Sequence, residues 1–122
     1  MKTGATGIKR ILKAFTYSFD GFIATFKSEA AFRQELFLCA ISAIIALILP
    51  FSAMQTYSLL FSLLLILMME LINSAIEAVV DRISDEYHEL SKKAKDIGSL
   101  IVLLAFVNAF AIWGLCLYQL YF

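Results

Sequence analysis

Glu70, Asn73, Glu77 and Asp81 follow one another at spacings of three, four and four residues. At about 100° per residue, that spacing gathers them within roughly 80° of one helical face. The residues between them are apolar: Leu71, Ile72, Ala75, Ile76, Val79 and Val80. A stripe of carboxylates with one amide suits a hard cation such as Mg²⁺, which takes oxygen ligands and shares them with substrate phosphates. A partly buried carboxylate can also accept the proton of a hydroxyl. Two other uses fit the same stripe, an ion path and a structural network between helices. Glu29, Lys95 and Asp96 are the charged residues expected at a similar level.

These groups sit in an unusually apolar chain. Of its 122 residues, 61% are hydrophobic, and the mean hydropathy is +0.85. The formal net charge is zero, yet no charge lies in 36–69 and none follows Asp96. A membrane span needs about 20 apolar residues, and both uncharged tracts exceed that. So short a chain has no soluble core in which to bury them. The composition therefore predicts a single all-α integral membrane domain over 1–122.

Along the chain, Ile8, Ile11, Leu12, Phe15, Phe19, Phe22, Ile23 and Phe26 recur at spacings of three and four. They predict an amphipathic helix over about 7–27, its other face carrying Lys9, Arg10, Lys13, Thr16, Tyr17 and Asp20. Such a helix suits the headgroup plane of a bilayer. A first span is expected over 29–49, N-capped by Ser28 and stopped by Pro50. A second should run over about 53–85, longer than the hydrocarbon core, so that its acidic end projects into water. SDEYHELSKKAKD reads as a polar loop or a helical continuation before a third span over 96–121. Gly98 and Gly114 would let neighbouring helices approach. Trp113, Tyr118 and Tyr121 read as an interfacial aromatic belt. Lys27, Arg33, Arg82, Lys92, Lys93 and Lys95 place the N-terminus and the 82–96 loop on the cytoplasmic side, with the C-terminus outside.

Several classes are disfavoured. The dispersed glycines form neither GxxxxGK[ST] nor GxGxxG, and no HExxH motif or nucleophile elbow occurs. There is no basic surface of the kind nucleic acids need. Cys39 and Cys116 read as small buried hydrophobes. The N-terminal stretch lacks the continuous apolar run of a secretory signal. His88, the only histidine, reads by itself as a polar surface residue.

EAAFRQE (29–35) and ELINSAIEAVVDRISDEYHELSKKAKDIGS (70–99) closely resemble the small prokaryotic diacylglycerol kinases. So does the N-terminal pattern of Thr6, Gly7, Arg10, Ile11, Lys13, Ala14, Tyr17 and Ser18. The resemblance covers essentially the whole chain. It implies a homotrimer in the bacterial inner membrane that phosphorylates diacylglycerol from MgATP, at sites shared between subunits and the surface helix. By the matching motif, Glu70 would be the general base, with Asn73 beside it. Glu29 and Glu77 would hold the divalent ions that bridge the phosphates. Arg10, Tyr17, Glu86, Tyr87, His88, Lys95 and Asp96 would contact ATP. The neutral turn PFSAMQT departs from the charged turn common in the family, so lipid contacts are not carried over to it. A related lipid kinase acting on undecaprenol shares the fold, and a non-enzymatic ion-conducting protein is the alternative from another class.

Overall fold

Four helices account for most of the chain: α1 (Gly7–Ser28), α2 (Ala30–Ile48), α3 (Ala53–Ile83) and α4 (Glu89–Tyr121). They come from a computed structural model that describes Gly4 and residues 6–122. The three long helices α2, α3 and α4 are each long and apolar enough to cross a bilayer. Their outward side chains, such as Phe37, Ile44, Leu64, Leu104 and Phe110, are exposed and apolar. The chain is a multi-pass membrane protein, with lipid in place of water around that surface.

α1 buries none of its residues and joins the bundle at its C-terminal end. Phe22 meets the buried ring of Phe32 edge-on at 5.7 Å. Arg33 Nη1 donates to the carbonyls of Phe26 at 2.6 Å and Lys27 at 3.1 Å. Those carbonyls lie at a helix end, where no further turn satisfies them, and a cation there also meets the negative end of the helix dipole. The expected cap at Ser28 is corrected by this junction. Ser28 is the last residue of α1 and its hydroxyl donates back to Ala24 O at 2.9 Å. Glu29 is the residue that leaves helical geometry and takes the N-cap position of α2, without a side-chain capping bond.

α3 begins with a reciprocal capping box. Ser52 Oγ accepts from Gln55 N at 3.1 Å, and Gln55 Oε1 accepts from Ser52 N at 2.9 Å. It runs 31 residues, to Ile83 and not to 85. α4 begins at Glu89, well before the expected 96, which resolves SDEYHELSKKAKD into a short connection and a helical continuation. His88 Nδ1 caps it by accepting from Leu90 N at 3.1 Å. Glu89 lies in its positively polarised first turn, and Lys92 pairs with Asp96 one turn on.

α3 is the central element and packs against both α2 and α4. Cys39, Leu63, Ile66, Ala105 and Ala109 form one buried cluster, and Ala46, Leu59 and Cys116 a second. Small residues at these positions let the helices approach closely. Trp113 belongs to this packing and not to an interfacial belt. Its indole Nε1 donates to the fully buried Ser62 Oγ at 3.2 Å, because an indole N–H inside a bundle must find an acceptor.

Candidate functional site

Where α3 leaves its uncharged tract, three polar residues are buried in succession: Glu70 at 5% exposure, Asn73 at 8% and Ser74 at 9%. Of the face expected from spacing, Glu70 and Asn73 thus turn into the bundle, Glu77 is half-buried and Asp81 is exposed. Asn73 Nδ2 donates to Glu77 Oε1 at 3.2 Å, which fixes the carboxylate one turn further along. Asn73 Oδ1 and Ser74 Oγ are buried without a hydrogen-bond partner in the chain.

Glu35 of α2 completes this group, a residue that the spacing along α3 does not point to. Its carboxyl meets that of Glu70 within hydrogen-bonding contact, and its Oε2 is buried without a partner in the chain. A signal was present: Glu35 and Glu70 bound the same uncharged tract at its two ends. A hairpin turned at Pro50 brings such residues to a similar level. Two carboxyls this close in an apolar setting repel each other when both are charged.

Glu29, at the N-terminus of α2, and Glu77 both lie near enough to Glu70 for their charges to interact with it. Among the described residues, no three His, Cys, Asp or Glu side chains gather closely enough to hold a metal ion.

Beyond Glu77 the stripe opens into a polar cavity of about 580 Å³ between the end of α3 and the start of α4. Asp81, Ser84, Glu86, Tyr87, His88, Lys95 and Asp96 are among its lining residues. Lys95 Nζ pairs with Asp81 Oδ1 at 2.6 Å, and Lys92 Nζ with Asp96 Oδ2 at 2.6 Å. Lys95 stands on the polar first turns of α4, ahead of the uncharged tract. The hydrogen bond it donates to Asp81, with the negative charges of Asp81, Glu77 and Asp85, holds its ammonium above the usual lysine range. These pairs are exposed, so they orient charge more than they stabilise the fold.

The structure therefore brings together most of the expected residues. Glu70 and Asn73 are buried with half-buried Glu77 one turn on, and Glu86, Tyr87, His88, Lys95 and Asp96 line the open cavity. Arg10 and Tyr17 are exposed on α1 and do not line this cavity. The buried end can accept a proton beside an apolar surface. The open end sets Asp81, Asp85, Glu86 and Asp96 against Lys92 and Lys95, so an anionic group there needs a cation beside it.

Comparison with known proteins places this arrangement. Residues 16–117 match the family model described as prokaryotic diacylglycerol kinase. The chain is 46% identical over 119 residues to the diacylglycerol kinase of Escherichia coli K12, covering 98% of each. It is 46% identical over 111 residues to that of Pseudomonas aeruginosa, covering 91% of this chain and 90% of the relative. Against that of Helicobacter pylori J99 it is 39% identical over 118 residues, covering 97% and 92%.

Proposed function

The chain belongs to the prokaryotic diacylglycerol kinase family, and we propose that it transfers the γ-phosphate of MgATP to the hydroxyl of 1,2-diacylglycerol, giving phosphatidic acid. Glu70 is the general base in this reading. The observation that carries it is the burial of Glu70 beside Glu35, where the uncharged tract of α3 gives way to the stripe that runs through Asn73 and Glu77 toward the cavity. A lipid hydroxyl arrives from the apolar side at that level, and a nucleotide from the polar side.

The hydroxyl oxygen attacks the γ-phosphorus, the bond to the bridging oxygen breaks, and ADP leaves. Glu70 takes the hydroxyl proton as the new bond forms. Asn73, by its bond to Glu77, keeps that carboxylate directed. Lys95 lies beside the phosphates and offsets their charge. Glu86, Tyr87, His88 and Asp96 contact ATP, with Arg10 and Tyr17 reaching it from α1. Mg²⁺ fits the donor set, because it is bound through one or two carboxylates with phosphate oxygens and water completing the shell. Glu29 and Glu77 would hold it, and it would neutralise charge on the transferred group.

The partners in this reading are diacylglycerol, ATP, membrane lipids and two further copies of the chain, in a homotrimer whose sites lie between subunits. The polar atoms of Glu35, Asn73 and Ser74 that lack a partner within one chain support a site completed from outside it. α1, with its exposed Phe15 and Phe19, lies in the headgroup plane and flanks lateral access of the lipid. Arg82, Lys92, Lys93 and Lys95 put the cavity on the cytoplasmic side of the bacterial inner membrane, with the C-terminus in the periplasm.

The test is transfer of labelled γ-phosphate from MgATP in mixed micelles, with diacylglycerol and undecaprenol offered separately and Glu70→Gln as control. Label in phosphatidic acid that disappears with Glu70→Gln is the expected result. Label only in the polyprenol would move the acceptor and keep the mechanism. Label undiminished in Glu70→Gln would remove Glu70 as the base.

A further inference from the structure

On α4, Gly98 is buried beside Asn73 of α3. A Cβ built at Gly98 would collide with Asn73 Oδ1 and lie 3.3 Å from Asn73 Cγ, but 3.6 Å from Asn73 Cα. The last distance is an ordinary contact, so the two backbones would accept a methyl group. The conflict is confined to the amide head. The same addition at Gly21 or Gly114 would meet nothing within 4 Å. Nor does Gly98 adopt a positive φ that would require glycine. Glycine is a poor residue for a helix interior, so its place here is explained by the room it leaves.

That room decides how the Asn73 amide is turned. Oδ1 occupies the space beside Gly98, and Nδ2 is left to reach Glu77 Oε1 at 3.2 Å. Flipping the amide end for end would only put an NH₂ where the oxygen was. Relief from an added Cβ needs rotation about χ1, or about χ2 short of a full flip, and either carries Nδ2 away from Glu77 Oε1.

We propose that Gly98 is a positioning residue for phosphoryl transfer, its missing side chain setting the Asn73 amide that directs Glu77. The inference rests on the reading of Asn73 and Glu77 as members of the catalytic cluster. Gly98 touches no reacting group, and it acts only through Asn73.

A double-mutant cycle tests this in the full-length protein, with Gly98→Ala, Asn73→Ala and the pair together. Three quantities are read for each: kcat, the Mg²⁺ concentration at half-maximal rate, and the melting temperature in detergent. Gly98→Ala should lower kcat about tenfold or more, as misplacement of a site group does. It should also raise the Mg²⁺ requirement, leave KM for diacylglycerol within about twofold, and lower the melting temperature. With Asn73→Ala already present, Gly98→Ala should change residual kcat and Mg²⁺ requirement by less than about twofold. There it should raise the melting temperature, since alanine is the better helix former.

Losses of equal size in both backgrounds would show that Gly98 serves helix packing alone and would overturn the inference. An unchanged kcat and Mg²⁺ requirement in Gly98→Ala would overturn it too. Should Gly98→Ala fail to fold, recovery of the fold in the double variant supports the coupling, and failure of both variants refutes it. Full activity in Asn73→Ala is a different result. It would sink the catalytic-cluster reading itself, with the steric coupling still visible in the melting temperatures.

Discussion

Ser62 and Asn73 stand about three turns apart on α3, both buried, and their surroundings treat them in opposite ways. Ser62 accepts from Trp113 Nε1 and donates to Leu59 O at 2.6 Å. Asn73 has Nδ2 on Glu77, but its Oδ1 has no partner in the chain. The contrast extends to the two halves of the bundle. In the half toward the 49–52 turn, Ser52 and Gln55 cap each other, and Gln55 Nε2 donates to Gln119 Oε1 at 2.8 Å across to α4. In the acidic half, Glu35 Oε2 and Ser74 Oγ join Asn73 Oδ1 as buried atoms left unpaired. Each such atom costs roughly 1–3 kcal/mol. In the proposed function these three atoms, beside the carboxyls of Glu35 and Glu70, belong to the half that serves chemistry. The other half is arranged for holding.

If that division is right, substitutions in the acidic half should move rate far more than stability. Glu70→Gln, close in size and without the basic carboxylate, should lower transfer by about a thousandfold, within the range a general base contributes. Its melting temperature should hold or rise as the carboxyl contact with Glu35 is relieved. A variant that lost rate and fold together would make Glu70 a structural group. Glu77→Ala should lower the rate less and shift the Mg²⁺ titration to higher concentration. A superimposable titration would take Glu77 out of the metal shell.

The opposite half should respond in the other sense. Ser62→Ala leaves the Trp113 N–H buried without its acceptor and should cost about 1–2 kcal/mol, read from denaturant midpoints in micelles. The kcat of the folded fraction should stay at the parent value. A reduced kcat in fully folded protein would join Ser62 to the site. Ser52→Ala removes one side of the capping box and should be the mildest change, about 1 kcal/mol with no change in rate.

The parts of this protein that were legible beforehand depend on neighbours along one helix. The spacing of Glu70, Asn73, Glu77 and Asp81 announces a shared face whatever surrounds it. The uncharged tracts announce membrane spans, because lipid accepts apolar side chains wherever they point. Even Ser28 was misread locally: its hydroxyl bonds one turn back inside α1, a choice open to any serine near a helix end. The start of α4 moved to Glu89 because His88 Nδ1 supplies a cap, and histidine is not among the preferred capping residues.

Glu35 against Glu70, Trp113 on Ser62, Arg33 on the end of α1 and Gly98 under Asn73 are contacts between helices. Periodicity carries no information about them. They depend on where the chain turns at Pro50 and after Ile83, and on how closely Ala105, Ala109 and Gly98 let α4 lie against α3. Spacing along α3 was enough to say that a polar face exists and which residues share it. Only the packing of α2 and α4 on that face settled which groups meet it, because helix approach is set by side-chain volume at crossings far apart in sequence.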